Sequence, residues 1–165
     1  MNTIKYNNLN LREGQLMLDM GCGEGRHSIG ALLETPANIV GMDLSFEDLK
    51  TAQSRLKDFD TSELRTSCTF GLGNINDIPF EDSSLDAVIC SEVLEHVDSP
   101  NESVKELVRV LKPGGVMALS VPRYLPELIC WKLSKEYSKT PGGHVRIFKH
   151  KELKNLAISN GLEYK

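Results

Sequence analysis

The sequence predicts an α/β protein in which a parallel sheet carries helices on both faces. Short apolar runs alternate along the 165 residues with longer amphipathic stretches, an order typical of parallel strands joined by helical crossovers. A glycine-rich turn, Gly21 to Gly25, joins the first predicted strand to the first predicted helix. The acidic residues Asp19 and Asp43 stand at the ends of the first two predicted strands. Together these features predict a doubly wound sheet that binds a nucleotide-like ligand at the carboxyl ends of its strands.

The predicted strands are short apolar runs bounded by polar or turn-forming residues. They cover residues 15–20, 38–42, 67–71, 85–90 and 116–121. Strands and amphipathic helices alternate without internal repeats or low-complexity stretches. We therefore expect one domain over residues 1–165, which is long enough to bury a core.

The predicted helices are marked by apolar residues that return every three or four positions. They cover residues 26–34, 46–59, a segment beginning at Pro100, and 151–160. Ser45 and Asp48 have the spacing of a capping box, Ser99 is a predicted cap, and Gly161 is expected to end the last helix. The residues predicted to be buried are Ile29, Leu32 and Leu33, then Leu49, Ala52, Leu56 and Phe59, then Val104, Leu107, Val108 and Leu111, and finally Leu153, Leu156 and Ala157.

The glycine turn has a spacing and an acidic neighbour that disfavour a dinucleotide. Its glycines follow the pattern Gly-x-Gly-x-Gly, whereas dinucleotide-binding turns have Gly-x-Gly-x-x-Gly. Asp19, two residues before the first glycine, would repel a pyrophosphate. A ligand with an amino-acid end fits better, because the helix N-terminus attracts a carboxylate and Asp19 attracts an ammonium group.

The segment from Leu18 to Gly25, LDMGCGEG, resembles motif I of the class I S-adenosylmethionine-dependent methyltransferases, in particular their type 11-like family. The turn LKPGG at residues 111–115 resembles the family's turn before the fifth strand, and the resemblance extends from Leu16 to Gly161. It implies a Rossmann-like sheet with strand order 3-2-1-4-5. It also implies S-adenosyl-L-methionine as the cofactor, S-adenosyl-L-homocysteine as its product, and a methyl transfer of the EC 2.1.1 class.

The resemblance implies cofactor-binding residues around the carboxyl ends of the strands. Asp43 would accept hydrogen bonds from both ribose hydroxyls, and Leu44 would lie against adenine. Asn74, which stands where the family has an acid, would accept from the adenine amino group through its amide oxygen. The full implied set is Asp19, Gly21, Cys22, Gly23, Gly25, Asp43, Leu44, Asn74, Ile75 and Cys90.

A polar segment after the fourth predicted strand supplies candidates for the chemistry. Glu92, His96 and His144 are the candidate catalytic residues, because a carboxylate or imidazole near the methyl group can take a proton from the acceptor. The patterns E-x-x-E-H at residues 92–96 and H-x-R-x-F at residues 144–148 also resemble the metal site of small-RNA 3′-end 2′-O-methyltransferases. That resemblance leaves open a divalent metal held by Glu92, Glu95, His96 and His144, although the sequence favours a site without metal.

The sequence identifies the methyl donor more clearly than the acceptor. The formal net charge of −4 and the lack of an evident RNA-binding extension favour a small molecule, methylated on O, N or C, over nucleic acid. Three alternatives stay open. They are a metal-assisted 2′-O-methyltransferase acting on RNA, a cofactor-binding module without catalysis, and an NAD-dependent oxidoreductase, which the glycine spacing disfavours.

Two features depart from the regular alternation of strands and helices. Residues 122–142 form an insertion, in which the segment from Tyr124 to Tyr137 predicts either a lid with Trp131 lining the acceptor pocket or a packing helix with Trp131 in the core. The chain ends at Lys165, where the family adds an antiparallel hairpin. We therefore expect either a five-stranded sheet with an exposed edge that invites a homodimer, or a C-terminally truncated chain.

Secretion and membrane insertion are not predicted from the sequence. The four cysteines are scattered without metal-binding or disulfide spacing, and the N-terminus lacks a signal-peptide pattern. No apolar run is long enough to span a bilayer. We therefore expect a cytoplasmic protein that does not associate with membranes.

Overall fold

The computed structural model describes residues 4–126, 128 and 143–164, and its strands and helices alternate as predicted. A short 3-10 helix over Tyr6–Leu9 precedes the sheet. The strands are β1 (Leu16–Met20), β2 (Asn38–Asp43), β3 (Cys68–Leu72), β4 (Leu85–Ser91) and β5 (Leu111–Ser120). The helices are α1 (Arg26–Glu34), α2 (Phe46–Leu56), α3 (Pro100–Val110) and α4 (His150–Ser159).

The strands form one parallel sheet in the order β3-β2-β1-β4-β5, which confirms the predicted order. β1 lies at the centre, with Met17 opposite Ile39 of β2 and Ala87 of β4. Parallel strands end at the same edge of a sheet, so the segments that follow β1, β2 and β4 meet there. β3 and β5 are the edge strands in the described part of the chain, and a homodimer through a free edge stays a prediction.

Alternate residues of the central strand β1 enter two separate cores, because successive side chains of a strand point to opposite faces. Leu18 packs in the core that contains α3 residues such as Leu107, together with Phe148. Met17 packs in the other core, which contains Tyr6 and residues of α1. Both β1 side chains are fully buried. Helices therefore cover both faces of the sheet, as predicted.

Two residues that the periodicity places in the core lie at the surface. Leu33 of α1 is 43% exposed, because it lies outside the face that this helix buries, which is formed by His27, Ser28, Ile29, Ala31 and Leu32. Phe59 is 44% exposed, because α2 ends at Leu56 and the predicted helix extends too far. No helix in the described residues is both long and apolar enough to cross a bilayer.

The predicted helix ends are confirmed in part. Ser45 caps α2 by accepting the backbone N–H of Asp48 at 3.2 Å. Gly161, at φ 87°, ends α4 with the two backbone bonds of a Schellman motif. Ser99 precedes α3, but its side chain makes no capping hydrogen bond. The start of this helix is therefore marked by proline at its first position and not by a side-chain cap.

The start of β5 differs from the sequence prediction, and the predicted insertion is described only in part. β5 begins at Leu111 rather than at residue 116, because Leu111 pairs with Leu85 ahead of a register shift. Tyr124 is helical. Most of the predicted lid, including Trp131 and Tyr137, lies outside the described residues, so the lid stays a prediction.

Candidate functional site

The glycine loop after β1 is fixed to the end of β2 by backbone hydrogen bonds. The N–H groups of Gly21 and Cys22 both donate to the carbonyl oxygen of Met42, at 2.7 and 3.0 Å. Gly25 donates to the carbonyl oxygen of Cys22 at 2.9 Å and is the N-cap of α1. The loop is therefore held at the carboxyl edge of the sheet, where the first turn of α1 supplies N–H groups that attract an anion.

The three loop glycines meet different neighbours although all have positive φ angles of 73°, 50° and 81°. A β-carbon on Gly21 would collide with the side chain of Val93, and one on Gly25 would lie 2.9 Å from Ala52. A β-carbon on Gly23 would meet no atom within 4 Å. The middle glycine therefore borders open space that a ligand can fill, while Val93 brings the segment after β4 against the loop.

Asp43, at the end of β2, is hydrogen-bonded to the middle of the glycine loop. Its Oδ2 accepts the N–H of Gly23 at 2.8 Å, and its Oδ1 accepts the N–H of Ser45 at 2.8 Å. A carboxylate has about four lone-pair sites, so each oxygen keeps one for a ligand hydroxyl. The structure thus places the predicted ribose acceptor, which is partly exposed, directly beside Gly23.

Asp19 is buried, with only 1% of its surface exposed. Its Oδ2 accepts the hydroxyl proton of Ser28, in the first turn of α1, at 2.6 Å. Burial raises the pKa of the Asp19 carboxyl to about 6, and the hydrogen bonds from Ser28 offset part of the rise. Asp19 therefore joins β1 to α1, and its pairing with a ligand ammonium group stays a prediction.

The residues after β2 and β3 that are predicted to contact the cofactor differ in how far their side chains are exposed to solvent. Leu44 is 71% exposed, so its side chain is free to cover a flat base. Asn74 is exposed, and its Oδ1 accepts the N–H of Asn76 at 2.9 Å, which leaves one lone pair for a ligand. Ile75 is only 3% exposed and its side chain packs in the core, so its proposed contact with the cofactor would use the backbone and stays a prediction.

The segment that carries Asn74 and Ile75 is anchored to α3. The side chain of Ser103 donates to Asn76 at 2.6 Å, and Glu106 accepts the N–H of Ile78 at 2.9 Å. Arg109 donates to the carbonyl oxygens of Ile78 and Phe80 at 2.9 and 2.8 Å. These bonds draw the segment against the core and explain why Ile75 points inward.

The cysteines near the strand ends are buried thiols. Cys90 is fully buried in the core on β4, and its contact with the cofactor stays a prediction. Cys22 is 7% exposed, and its thiol donates to the carbonyl oxygen of Gly23 at 3.7 Å. Burial raises the pKa of both thiols, which keeps them protonated at neutral pH.

Glu92 follows β4 in a left-handed backbone conformation, with φ 59°. Its N–H donates to the carbonyl oxygen of Ser120 at 2.9 Å, and its Oε1 accepts the Ser120 hydroxyl at 3.3 Å. The hydroxyl oxygens of Ser120 and Ser91 lie 2.7 Å apart. Strained backbone at a residue other than glycine persists where its surroundings fix it and is frequent at functional sites, which agrees with a functional role for Glu92.

Glu95, His96 and His144 form a cluster of potential metal ligands. One ligand atom of each residue lies within 4.8 Å of those of the other two. The imidazole rings of His96 and His144 meet edge to face, with centroids 4.6 Å apart. The Glu92 carboxylate is turned toward Ser120 and is not among these three residues, so the four-residue metal set, which the sequence left open as an alternative, stays a prediction.

The segment before α4 is bound to the turn after β4. Val145 donates its N–H to the carbonyl oxygen of Glu95 at 2.8 Å, and Arg146 donates to the carbonyl oxygen of Asp98 at 2.7 Å. His96 Nδ1 lies 3.3 Å from the carbonyl oxygen of Gly143. These contacts explain how His144 lies beside His96, which is far from it in the sequence.

A second buried network, which the sequence patterns do not predict, holds the N-terminal segment on α1. Tyr6 Oη lies 2.9 Å from His27 Nδ1, and Arg26 donates to His27 Nε2 at 3.2 Å. Because a guanidinium only donates, Nε2 accepts and Nδ1–H donates to the Tyr6 oxygen. Burial, with a smaller effect of the Arg26 charge, lowers the pKa of His27 to about 4, so this imidazole is neutral at neutral pH.

Three residues that shape the site are missed by the sequence patterns. Ser28 bonds to Asp19, Val93 packs against the position of the Gly21 β-carbon, and Ser120 bonds to Glu92. Only the contact of Ser28 could have been predicted from nearby sequence, because the first turn of a helix that follows a glycine loop lies near the strand that precedes the loop. The Val93 contact depends on how β1 and β4 align, and the Ser120 contact depends on how β4 and β5 align.

The fold and the site together define a class of protein. A parallel sheet of this order, a glycine loop with an open middle position and a carboxylate at the end of β2 are the features with which such sheets bind adenosine-containing ligands at their switch point. The sequence profile of the methyltransferase domain matches residues 18–119. The chain belongs to the class I S-adenosylmethionine-dependent methyltransferase family.

Individual relatives agree with this family. An uncharacterized methyltransferase of Schizosaccharomyces pombe is 37% identical over 102 residues, which are 60% of this chain and 37% of that protein. The biotin biosynthesis bifunctional protein BioHC of Teredinibacter turnerae is 32% identical over 158 residues, 91% of this chain and 27% of that protein. The YcgJ protein of Bacillus subtilis shares the fold, with a TM-score of 0.78 and 22% identity over 97% of this chain and 67% of that one. The chain spans from 27% to 46% of the length of the curated relatives it matches.

Proposed function

We propose that this chain transfers a methyl group from S-adenosyl-L-methionine to an O, N or C atom of a small-molecule acceptor. The proposal is carried by the pairing of Gly23 with Asp43. The glycine borders open space, and its N–H is bonded to the carboxylate that ends β2. A β-carbon at Gly23 would enter that space, and the two remaining carboxylate lone pairs suit a ribose diol.

The residues proposed to hold the cofactor lie along the carboxyl edge of the sheet. When bound, S-adenosyl-L-methionine supplies a methyl group activated by its sulfonium sulfur. Asp43 would accept the ribose hydroxyls, and the exposed side chain of Leu44 would cover the adenine. Asn74 would use the second lone pair of its Oδ1 for the adenine amino group. The N–H groups at the start of α1 would bind the carboxylate of the amino-acid end.

The side chains proposed for the chemistry are in the segment after β4. Methyl transfer needs orientation of the acceptor and removal of its proton. Val93 packs against the glycine loop, and this contact supports a position for the neighbouring Glu92 beside the proposed cofactor site. Glu92 is proposed to take the acceptor proton, with the Ser120 hydroxyl orienting its carboxylate. His96 and His144 are the further proposed proton acceptors.

A small-molecule acceptor is supported by charge and by the names of relatives. The net charge of −4 opposes the approach of a polyanion such as RNA. Among the relatives, a norajmaline N-methyltransferase of Rauvolfia serpentina and a demethylmenaquinone methyltransferase of Symbiobacterium thermophilum carry the names of small molecules. The atom that is methylated differs between such enzymes, so the proposal covers O, N and C.

Calorimetry with S-adenosyl-L-homocysteine tests the cofactor site. Asp43→Ala is expected to weaken binding by about 1–3 kcal/mol, or about 5- to 150-fold, because the ribose hydroxyls lose their acceptor. Asp58→Ala is the matched control, since it removes an exposed carboxylate beyond the end of α2. Unchanged affinity in Asp43→Ala would remove Asp43 from the cofactor site.

Transfer of a labelled methyl group tests the acceptor class. The native chain is incubated with small hydroxyl, amine and carbon acceptors and, in a separate arm, with RNA. Glu92→Gln is expected to lower transfer more than it lowers S-adenosyl-L-homocysteine affinity, because the carboxylate acts on the acceptor proton. Transfer to RNA alone would contradict the small-molecule proposal. Cofactor binding without transfer to any acceptor would favour a non-catalytic module.

A further inference from the structure

We propose that Arg26 binds the carboxylate at the amino-acid end of S-adenosyl-L-methionine, and that His27 and Tyr6 hold its guanidinium group in place. This assignment, which rests on the proposed function, concerns the amino-acid half of the same site. Arg26 is the first residue of α1 and follows Gly25, the last glycine of the loop. Its side chain therefore begins at the end of the helix where the first N–H groups also attract an anion.

The Arg26 guanidinium has no carboxylate partner in the part of the chain that the structure describes. Arg26 is exposed, and no Asp or Glu of these residues lies within ion-pair distance of it. Glu24, the nearest acid in the sequence, is paired with Arg55 instead. A guanidinium presents its N–H donors as a planar fork that matches the two oxygens of a carboxylate. The carboxylate of a ligand would therefore supply the missing partner.

His27 holds one side of the guanidinium fork. Its Nε2 accepts a hydrogen bond from Arg26 Nη2 at 3.2 Å. His27 is only 4% exposed, and burial lowers its pKa to about 4, so the ring is neutral at neutral pH and keeps the lone pair that this bond needs. A guanidinium has several N–H donors, so the bond to His27 leaves others for a ligand.

Tyr6 fixes the His27 ring from the other side. Its Oη lies 2.9 Å from His27 Nδ1 and accepts the N–H of that nitrogen, which leaves Nε2 as the acceptor for Arg26. Tyr6 is 1% exposed, and its hydroxyl occupies the space that a β-carbon on Gly30 would need. The three side chains thus form one hydrogen-bonded chain from the N-terminal 3-10 helix to the first turn of α1.

Arg26 and Asp19 together match the two charges of an amino acid. Asp19 lies in β1 and Arg26 begins α1, so the glycine loop connects the two residues. Burial raises the pKa of Asp19, and the Arg26 charge is among the influences that lower it, so the guanidinium acts on this carboxyl through space. An acid and a base around one loop suit the ammonium group and the carboxylate of one ligand. We expect this pair to select ligands with an amino-acid end over adenosine derivatives that lack one.

Calorimetry with a series of adenosine ligands tests the role of Arg26. S-adenosyl-L-homocysteine carries a carboxylate and an ammonium group, its decarboxylated analogue keeps only the ammonium group, and 5′-methylthioadenosine has neither. Arg26→Gln is expected to weaken S-adenosyl-L-homocysteine by about tenfold or more and the other two ligands by less than about twofold, because only the first has a carboxylate. Arg65→Gln is the matched control, since Arg65 is an exposed arginine in the loop before β3.

Variants of His27 and Tyr6 test how the guanidinium is positioned. His27→Leu removes the acceptor of the Arg26 bond and is expected to weaken S-adenosyl-L-homocysteine about fivefold without weakening 5′-methylthioadenosine. His27→Gln keeps an acceptor oxygen and is expected to recover most of that loss. Tyr6→Phe removes the group that fixes the tautomer and is expected to cause a smaller loss of the same kind. A merely structural role of these residues would weaken all adenosine ligands alike.

The outcomes separate failure of this inference from failure of the proposed function. The inference alone is overturned if Arg26→Gln binds S-adenosyl-L-homocysteine as the native chain does, if it weakens all the ligands equally, or if Arg65→Gln causes the same loss. It is also overturned if the native chain binds S-adenosyl-L-homocysteine no more tightly than the decarboxylated analogue. A native chain that binds none of the ligands would refute the proposed function and the inference with it. Melting temperatures measured on the same samples show that the variants are folded.

Discussion

Gly23 and Gly14 form a matched pair that tests whether the open face of the glycine loop is the cofactor cradle. Both have positive φ angles, 50° and 80°, and a β-carbon added to either would meet no atom within 4 Å. A left-handed conformation costs a residue with a β-carbon about 1–2 kcal/mol, and alanine recovers about 0.4–1 kcal/mol by restricting the unfolded chain. We therefore expect Gly23→Ala and Gly14→Ala each to lose about 1 kcal/mol of unfolding free energy.

The two variants are expected to differ in ligand binding. The Gly23 β-carbon would enter the space beside Asp43, whereas Gly14 lies in the exposed turn before β1. We expect Gly23→Ala to weaken S-adenosyl-L-homocysteine at least tenfold, or about 1.4 kcal/mol, and Gly14→Ala to bind as the native chain does. Chemical denaturation measures stability and calorimetry measures affinity on the same samples. Equal affinities in the two variants would refute the assignment of the open space to the cofactor.

Two further comparisons follow from the buried acid and the strained turn. The stabilising contribution of Asp19 is present below pH 3.8 and lost as the pH rises through about 6, whereas that of His27 is present above pH 6.5 and lost as the pH falls through about 4. As the pH rises from 4 to 6, the unfolding free energy of Asp19→Asn should therefore increase relative to that of the native chain. The unfolding free energy of His27→Gln should decrease relative to that of the native chain over the same range. Profiles of unfolding free energy against pH that run parallel for the variants and the native chain would contradict this. Glu92→Gly relieves φ 59° and should keep or raise stability by at most about 1 kcal/mol while lowering methyl transfer. Ser83→Gly relieves φ 53° in the same way and should leave transfer unchanged, so a loss of transfer in both would contradict a specific role for Glu92.

The sheet could be predicted because the sequence patterns that indicate its strands and helices are local. Each apolar strand is followed by a helix with its own apolar stripe, and a parallel sheet is the common way to pair such units. The errors arise where tertiary contacts override the local pattern. Phe59 continues the periodicity of α2, but the helix ends at Leu56. Leu111 continues the stripe of α3, but it pairs with Leu85 and begins β5.

The residues proposed to hold the cofactor could be expected to lie close together for the same reason. Gly23 and Asp43 lie at consecutive strand ends, and the N–H of Gly23 is bonded to the Asp43 carboxylate. Side-chain direction was less predictable, because it depends on packing between distant segments. Ile75 and Cys90 belong to segments near the site, yet their side chains point into the core. No local pattern reveals that direction without the position of α3.

The proposed acceptor half of the site is assembled differently, and this difference explains why the sequence leaves its chemistry open. His96 and His144 come together only because the segment before α4 is bound to the turn after β4, through Val145 and Gly143. The two halves nevertheless share a boundary, since Val93 occupies the space of a Gly21 β-carbon. A glycine at that position therefore serves both the loop and the turn that carries Glu92. The proposed donor and acceptor sides therefore share one close contact, so a change at Gly21 is expected to disturb both.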